Sequence, residues 1–162
     1  MDIAVLPYST LGSGKTAAET LSDTGFEMCE EDSFGLGLCQ YTIVYNDELS
    51  QGRVRFTILH EIGHIVLGHR EQSELAEAEA DFFAKYAIAP PALVHLTHPS
   101  DYFDIAATFG ISLECASYAM SYYNKWLQFG PSSYLEYEYR TIKLFSDEEP
   151  GGGRMLRMKK GA

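Results

Sequence analysis

The clearest pattern of apolar and polar positions lies in two neighbouring segments of the chain. Apolar side chains recur at helical spacing over residues 51–67, and an alanine-rich segment over residues 74–88 follows after a short polar connection. Gly68 stands where a left-handed cap would end the first segment, and Ser73 stands where an N-cap would begin the second. Because the connection is so short, the two segments are predicted to form an antiparallel pair of helices.

The remaining pattern predicts strands before this helix pair and shorter helices after it. In chain order the predicted elements are a strand at 3–6, a helix near 15–22, strands around 35–38 and at 41–46, and helices near 101–109 and 113–128. The Pro90-Pro91 pair is expected to stop the second helix of the pair. We therefore expect an α+β fold, with a core over residues 1–97, a helical extension over 98–146 and a disordered tail over 147–162.

His60 and His64 stand four residues apart within the first predicted helix. Side chains at this spacing lie one above the other on the same helix face, so the two imidazoles can hold one metal ion. Glu61 beside them can then take a proton from a water, as in zinc hydrolases with an H-E-x-x-H sequence. Burying these groups among apolar residues is costly unless they are paired or metal-bound, which favours a metal site over chance spacing.

Helix geometry predicts that Glu77 supplies the third ligand. His64 lies four residues before Gly68, and Glu77 lies four residues after Ser73. At about 1.5 Å of rise per residue, both therefore stand roughly 6 Å from the turn. By the same count Asp81 falls opposite His60. Asp81 is therefore expected to orient the imidazole ring of a ligand histidine without binding the metal itself.

Three other residues near the site have simpler interpretations. Glu79 points about 200° round the helix from Glu77, so the two cannot both face the metal. We interpret Glu79, together with Glu74, as part of a solvated helix face. His69 follows His64 by five residues, whereas the third histidine of the metzincin pattern follows by six. His69 is therefore interpreted as a residue of the helix C-terminal end, where the helix dipole favours a cation.

Two motifs elsewhere look functional but are not expected to be. Residues 12–16 (Gly-Ser-Gly-Lys-Thr) are similar to a phosphate-binding loop, but Ser9 stands where that motif requires glycine, so a turn before a helix is predicted. Residues 105–114 look like a helix-turn-helix. Its second helix begins near Glu114 and contains no cation before Lys125, so we interpret it as a packing module, one that can dock a partner, and not as a DNA reader.

The 162-residue chain is acidic, with a net charge of −11. Four of its twelve basic residues lie in the last nine positions, so the rest of the chain is more acidic still. Such a surface repels phosphates and disfavours nucleic acid as a direct ligand, although acidity also keeps any protein soluble. Neither a membrane span nor a signal peptide is expected, and three cysteines without ligand spacing (Cys29, Cys39, Cys115) suggest reduced thiols in a cytoplasm.

Three blocks of sequence follow one another in a fixed order: Arg55-Phe56-Thr57-x-x-His60-Glu61-Ile62-Gly63-His64, Glu77-x-x-Ala80-Asp81-x-Phe83-Ala84, and Ala89-Pro90-Pro91. Together with the strand-like residues 41–47, these blocks resemble the ImmA/IrrE family of metallopeptidases. The resemblance extends from about Ile3 to near Phe129. The resemblance implies a zincin-like helix pair packed on a small mixed sheet. It also implies a gluzincin-like Zn²⁺ site with His60, His64 and Glu77 as ligands and Glu61 as general base.

The same resemblance implies a protein substrate. Members of this family typically cleave, or inactivate by contact, a partner helix-turn-helix repressor, which switches on the genes that it silences. We therefore expect a zinc-dependent endopeptidase of this kind. The alternative is a binding module that sequesters the repressor without cutting it, but Glu61 favours the enzyme because a structural zinc needs no base. A DNA-binding regulator is disfavoured by the acidic charge. The candidates for stabilising an oxyanion in such a reaction are His95, His98 and Tyr86, because they lie near the site in the sequence.

Overall fold

The computed structural model describes residues 3–31, 39–130 and 134–146. It divides the chain into two compact units, Met1–Ile88 and Ala89–Ala162. The domain boundary expected after residue 97 stays a prediction. Within the described ranges, no helix is long and apolar enough to cross a membrane.

Three strands of the first unit form one mixed sheet, namely β1 (Ile3–Pro7), β2 (Gly25–Glu31) and β3 (Cys39–Tyr45). β3 lies in the middle, parallel to β1 and antiparallel to β2. Ile43 and Val44 of β3 are both fully buried. Because successive side chains of a strand point to opposite faces, both faces of the central strand are covered. β2 lies at one edge of this described sheet, and the sequence pattern did not predict it.

Helices account for most of the remaining described residues, and the predicted α+β class is confirmed. The helices are α1 (Lys15–Leu21), α2 (Gln51–Leu67) and α3 (Glu74–Ile88) in the first unit, and α4 (Pro91–Thr97), α5 (Tyr102–Phe109), α6 (Leu113–Trp126) and α7 (Glu136–Ser146) in the second. α4 and α7 were not predicted. α3 ends at Ile88, just before the Pro90-Pro91 pair, and Pro91 opens α4, since proline at the first position of a helix loses no hydrogen bond. The strand expected around residues 35–38 falls outside the described residues.

The ends of α2 and α3 are set by their capping residues. Ser50 Oγ accepts a hydrogen bond from the Arg53 N–H at 3.4 Å and opens α2. Gly68 ends α2 with a φ of 72°, a left-handed conformation that favours glycine. Ser73 Oγ accepts from the Ala76 N–H at 3.1 Å at the start of α3. The predicted caps at Gly68 and Ser73 are therefore confirmed, and they fix the height of every side chain along the two helices.

Small residues let α2 and α3 approach each other closely. Ala76, Ala80 and Ala84 on one face of α3 are buried, and Ala80 is fully so. A Cβ atom added to Gly63 of α2 would lie 3.1 Å from the Ala80 Cα atom and 3.3 Å from the Phe83 Cβ atom. A side chain at this position would push the two backbones apart by a few tenths of an ångström, and the approach occurs between the two histidines of α2.

The second unit has a core of its own on α4, α5 and α6, where Val94, Ile105 and Ala116 are fully buried. α5 and α6 pack together across a short connection that Gly110 opens in the left-handed conformation. Whether this pair is a helix-turn-helix stays a prediction. The buried Glu138 of α7 accepts a 2.6 Å hydrogen bond from the Trp126 indole N–H of α6.

The expectation of three reduced thiols is wrong for Cys29, which is disulfide-bonded, whereas Cys115 is a buried thiol. An odd number of cysteines does not exclude a disulfide, so the count could not show that the thiols are reduced. Disulfides are rare in a cytoplasm, so the cysteines give no support to a cytoplasmic location. That location stays a prediction.

The close approach at Gly63 generates a prediction about stability. Gly63→Val puts a branched side chain against the Ala80 backbone, which cannot rotate away, so we expect the free energy of unfolding to fall by about 1–3 kcal/mol. Ala78→Val is the matched control, because Ala78 is exposed on α3 and should lose only about 0.7 kcal/mol of helix propensity. Urea unfolding of both variants measures the difference. Equal losses would mean that the helices are not held together at Gly63.

Candidate metal centre

His60 and His64 of α2 bring two imidazole nitrogens together. Their Nε2 atoms lie 3.0 Å apart, and the side chains are 17% and 12% exposed. Burial, reinforced by the neighbouring His60, lowers the pKa of His64 below its ordinary value. A neutral imidazole at neutral pH is the form that binds a metal ion.

Glu77 of α3 closes the group from the other helix. Its Oε2 atom lies 3.3 Å from His60 Nε2, and its Oε1 atom lies 3.7 Å from His64 Nε2. Among the described residues, these three side chains are the ones whose ligand atoms converge closely enough to hold a metal ion. The separations match the roughly 3.3 Å between neighbouring ligands of a tetrahedral zinc with bonds of about 2.0–2.2 Å. The donor set therefore fits a zinc ion.

The other ring nitrogen of His60 has its own partner on α3. Asp81 Oδ1 lies 3.1 Å from His60 Nδ1, and Asp81 Oδ2 accepts a 3.2 Å hydrogen bond from Lys85. If His60 carries its proton on Nδ1, its Nε2 atom presents a lone pair to His64 and Glu77. Two imidazole nitrogens 3.0 Å apart repel each other unless a proton or a metal ion lies between them, so a metal ion fits this position.

His64 also has a partner on its outer nitrogen, which the sequence interpretation missed. His69 Nδ1 lies 3.0 Å from His64 Nδ1, and His69 Nε2 lies 3.0 Å from Glu79 Oε2. The His69 side chain is only 13% exposed. His69 does lie at the C-terminal end of α2, and Glu79 is half exposed on α3, but the sequence interpretation did not predict that their side chains contact each other and His64. Helical periodicity could not find this contact, because it depends on how the chain turns after α2.

Glu61 points from α2 towards the edge strand β2. Its carboxylate accepts a hydrogen bond from the backbone N–H of Glu27. Burial, with the nearby carboxylates of Glu27 and Glu77, raises the pKa of Glu61 from 4.5 to about 7. A carboxyl group with a pKa near neutrality can both accept and return a proton at neutral pH.

Glu27 is a second carboxyl group beside Glu61. Burial raises its pKa above the ordinary value, and His69 opposes that shift. Its Oε2 atom is buried and has no hydrogen-bond partner among the described residues. Sequence reasoning did not single out Glu27 because it did not predict β2. In the sequence, β2 is indicated only by the alternation of apolar and polar residues at Phe26, Glu27 and Met28. The acidic run that follows obscures this alternation.

The remaining side chains named from the sequence have other partners. Lys15 of the phosphate-loop-like segment forms a 2.6 Å ion pair with Glu48, and a tight turn leads directly into α1 there. In the second unit His95 Nδ1 lies 3.1 Å from the Tyr123 hydroxyl, and burial lowers the His95 pKa. Tyr86 of α3 stacks on Phe82, with ring centroids 6.1 Å apart. A role for His95, His98 or Tyr86 in stabilising an oxyanion stays a prediction.

The raised pKa of Glu61 generates a prediction for the metal-free protein. Between pH 4.5 and about 7 the folded chain holds a proton on Glu61 that the unfolded chain has lost. Stability therefore falls as the pH rises through that window, and this cost is fully present above the folded pKa. Urea unfolding of chelator-treated protein at both ends of the window measures the fall. Glu61→Gln cannot ionise and should show a smaller fall than the wild type. Identical pH dependences would contradict the assignment.

Comparison with known proteins adds a family to this geometry. The family model of peptidase M78, described as the IrrE N-terminal-like domain, matches residues 12–121. This match covers more than half of the chain and includes both α2 and α3. A search of curated proteins and a search of solved structures returned no similar chain. On the strength of the family match, the chain belongs to the ImmA/IrrE family of M78 metallopeptidases.

Proposed function

We propose that this chain is a zinc-dependent endopeptidase that cleaves a partner helix-turn-helix repressor and so releases the genes that the repressor silences. The observation that carries the proposal is the convergence of His60 Nε2, His64 Nε2 and the Glu77 carboxylate beside the half-buried Glu61. Two imidazoles and one carboxylate are the protein ligands of catalytic zinc sites that keep a fourth position open.

In this proposal three residues bind the metal ion and a fourth transfers protons. His60, His64 and Glu77 would hold the ion, which when bound polarises a peptide carbonyl and acidifies water. Glu61 would accept a proton from the attacking water and return it to the leaving amine, as a carboxylate placed beside the ion can. The Glu27 N–H lies close to the Glu61 carboxylate and favours its ionised form. Glu77 is 52% exposed, so a peptide can reach the site from that side.

The repressor as substrate is supported by the family and by charge. Peptidase M78 is a family of peptidases, which favours a protein substrate. The net charge of −11 favours a basic partner, and a DNA-binding protein is basic. A module that sequesters the repressor without cutting it remains the competing function. A cytoplasmic location, where such a repressor acts, belongs to the same proposal.

The ligand assignment predicts which substitutions remove the metal. Purified wild-type protein should bind about one zinc per chain, and His64→Ala and Glu77→Ala should each lose it at neutral pH, because two protein ligands hold zinc too weakly. Glu74→Ala is the matched control, since Glu74 is exposed in the first turn of the same helix. Metal analysis after dialysis gives the stoichiometry. Retention of zinc by Glu77→Ala would show that the third ligand is a different residue.

A substitution of Glu61 separates the peptidase from the sequestering module. Glu61→Gln keeps the size of the side chain but cannot accept a proton, so cleavage of the repressor should slow by about 10²–10⁴-fold. Binding of zinc and of the repressor should be unchanged. Cleavage is followed on a gel, and derepression is followed with a reporter of the silenced promoter in cells. If Glu61→Gln derepresses the promoter as well as the wild type does, contact carries the function and proteolysis does not.

A further inference from the structure

The nitrogen of His64 that faces away from Glu77 is held by a second histidine, and that histidine is held by a carboxylate. His69 Nδ1 lies 3.0 Å from His64 Nδ1, and Glu79 Oε2 lies 3.0 Å from His69 Nε2. We propose that His69, anchored by Glu79, is a positioning residue that fixes the orientation and tautomer of His64 for metal binding. This inference rests on the proposed zinc site, but it does not require the chain to be a peptidase.

The positions of the protons follow from the metal-binding role of His64. A metal ligand must offer an unprotonated nitrogen, and His64 Nε2 is the atom that faces His60 and Glu77. The proton of the neutral His64 ring is then on Nδ1, from which it is donated to His69 Nδ1. The proton of His69 is in turn on Nε2, from which it is donated to Glu79. One arrangement of protons thus satisfies both contacts with both rings neutral.

The backbone after α2 places His69 for this contact. Gly68 adopts a φ of 72°, and its left-handed conformation turns the chain back along the last turn of the helix. As a result the His69 N–H donates a 3.0 Å hydrogen bond to the carbonyl oxygen of His64 itself. The two rings meet edge to face, with centroids 5.1 Å apart. The cap that ends the helix therefore also brings the second imidazole against the first.

Each histidine ligand is thus held from outside, but by different means. Asp81 is one turn beyond Glu77 on the same face of α3, so its carboxylate reaches His60 directly. Glu79 points away from that face, and the His69 ring bridges the distance between Glu79 and His64. Both contacts leave the inner Nε2 atom of the ligand free of protons. Outer partners of this kind typically change metal affinity by about 10–100-fold.

Substitutions of His69 test the proposal through zinc affinity. His69→Leu removes both contacts and should weaken zinc binding by about 10–100-fold in competition with a chelator. In His69→Gln the amide oxygen can accept from His64 and the amide nitrogen can donate to Glu79, so most of the affinity should return. Arg70→Ala, an exposed neighbour, is the control and should bind zinc as the wild type does. The rescue separates hydrogen bonding from simple loss of packing.

A spectroscopic measurement follows the same hydrogen bond directly. In the zinc-loaded wild type, the Nδ1–H proton of His64 should be protected from exchange with water and visible by NMR. His69→Leu should abolish this protection, and His69→Gln should restore it. If His69→Leu proves unstable, Glu79→Ala provides the second variant, because Glu79 is half exposed and its loss frees only the far nitrogen of His69. Glu79→Ala should lower zinc affinity, whereas Glu74→Ala should not.

Three results would overturn the proposal. Zinc affinity of His69→Leu equal to that of the wild type would show that the contact does nothing for the metal. A His69→Gln variant as weak as His69→Leu would show that packing, not hydrogen bonding, matters. Complete loss of stoichiometric zinc from a stably folded His69→Leu would make His69 a ligand in its own right. None of these results depends on peptidase activity, so they leave the proposed reaction to its own test.

Discussion

The close approach of α2 and α3 is the constraint on which the site depends. Gly63 offers no side chain where the Ala80 backbone comes nearest, and the buried alanines of α3 extend that contact along the helix. His60 and His64 lie on either side of Gly63, and Glu77 and Asp81 lie on either side of Ala80. A wider separation of the helices would leave the Glu77 carboxylate out of reach of the two imidazoles. The packing of the two helices therefore sets the distances between the three ligand side chains.

The polar groups around this contact restrict one another's orientation. Asp81 and His69 hold the outer nitrogens of the two histidines, which leaves both inner nitrogens facing Glu77. The sheet contributes from the other side, because Glu27 of β2 lies close to Glu61, whose pKa is raised by burial and by the carboxylates of Glu27 and Glu77. A set of carboxylates and imidazoles packed this closely is costly without a cation, and a divalent ion would offset their mutual repulsion.

How much of this could be predicted from the sequence depended on the range of the interactions. The bounds of α2 and α3 follow from local signals, namely helical periodicity and the caps at Gly68 and Ser73, and both were predicted correctly. The height of Glu77 opposite His64 followed from helix rise alone. β2 was missed because its acidic end hides the alternation of an edge strand, and Glu27 was missed with it. The contact of His69 with His64 depends on the left-handed turn at Gly68, which periodicity does not describe.

The position of zinc in crystals of the metal-loaded protein tests the central claim most directly. Anomalous scattering at the zinc absorption edge locates the ion without reference to activity or to a substrate. We expect one peak at bonding distance, about 2.0–2.2 Å, from His60 Nε2, from His64 Nε2 and from a carboxylate oxygen of Glu77. A peak held by other residues, such as His69 with Glu79 or the histidines of the second unit, would contradict the account, as would crystals of zinc-treated protein without a peak.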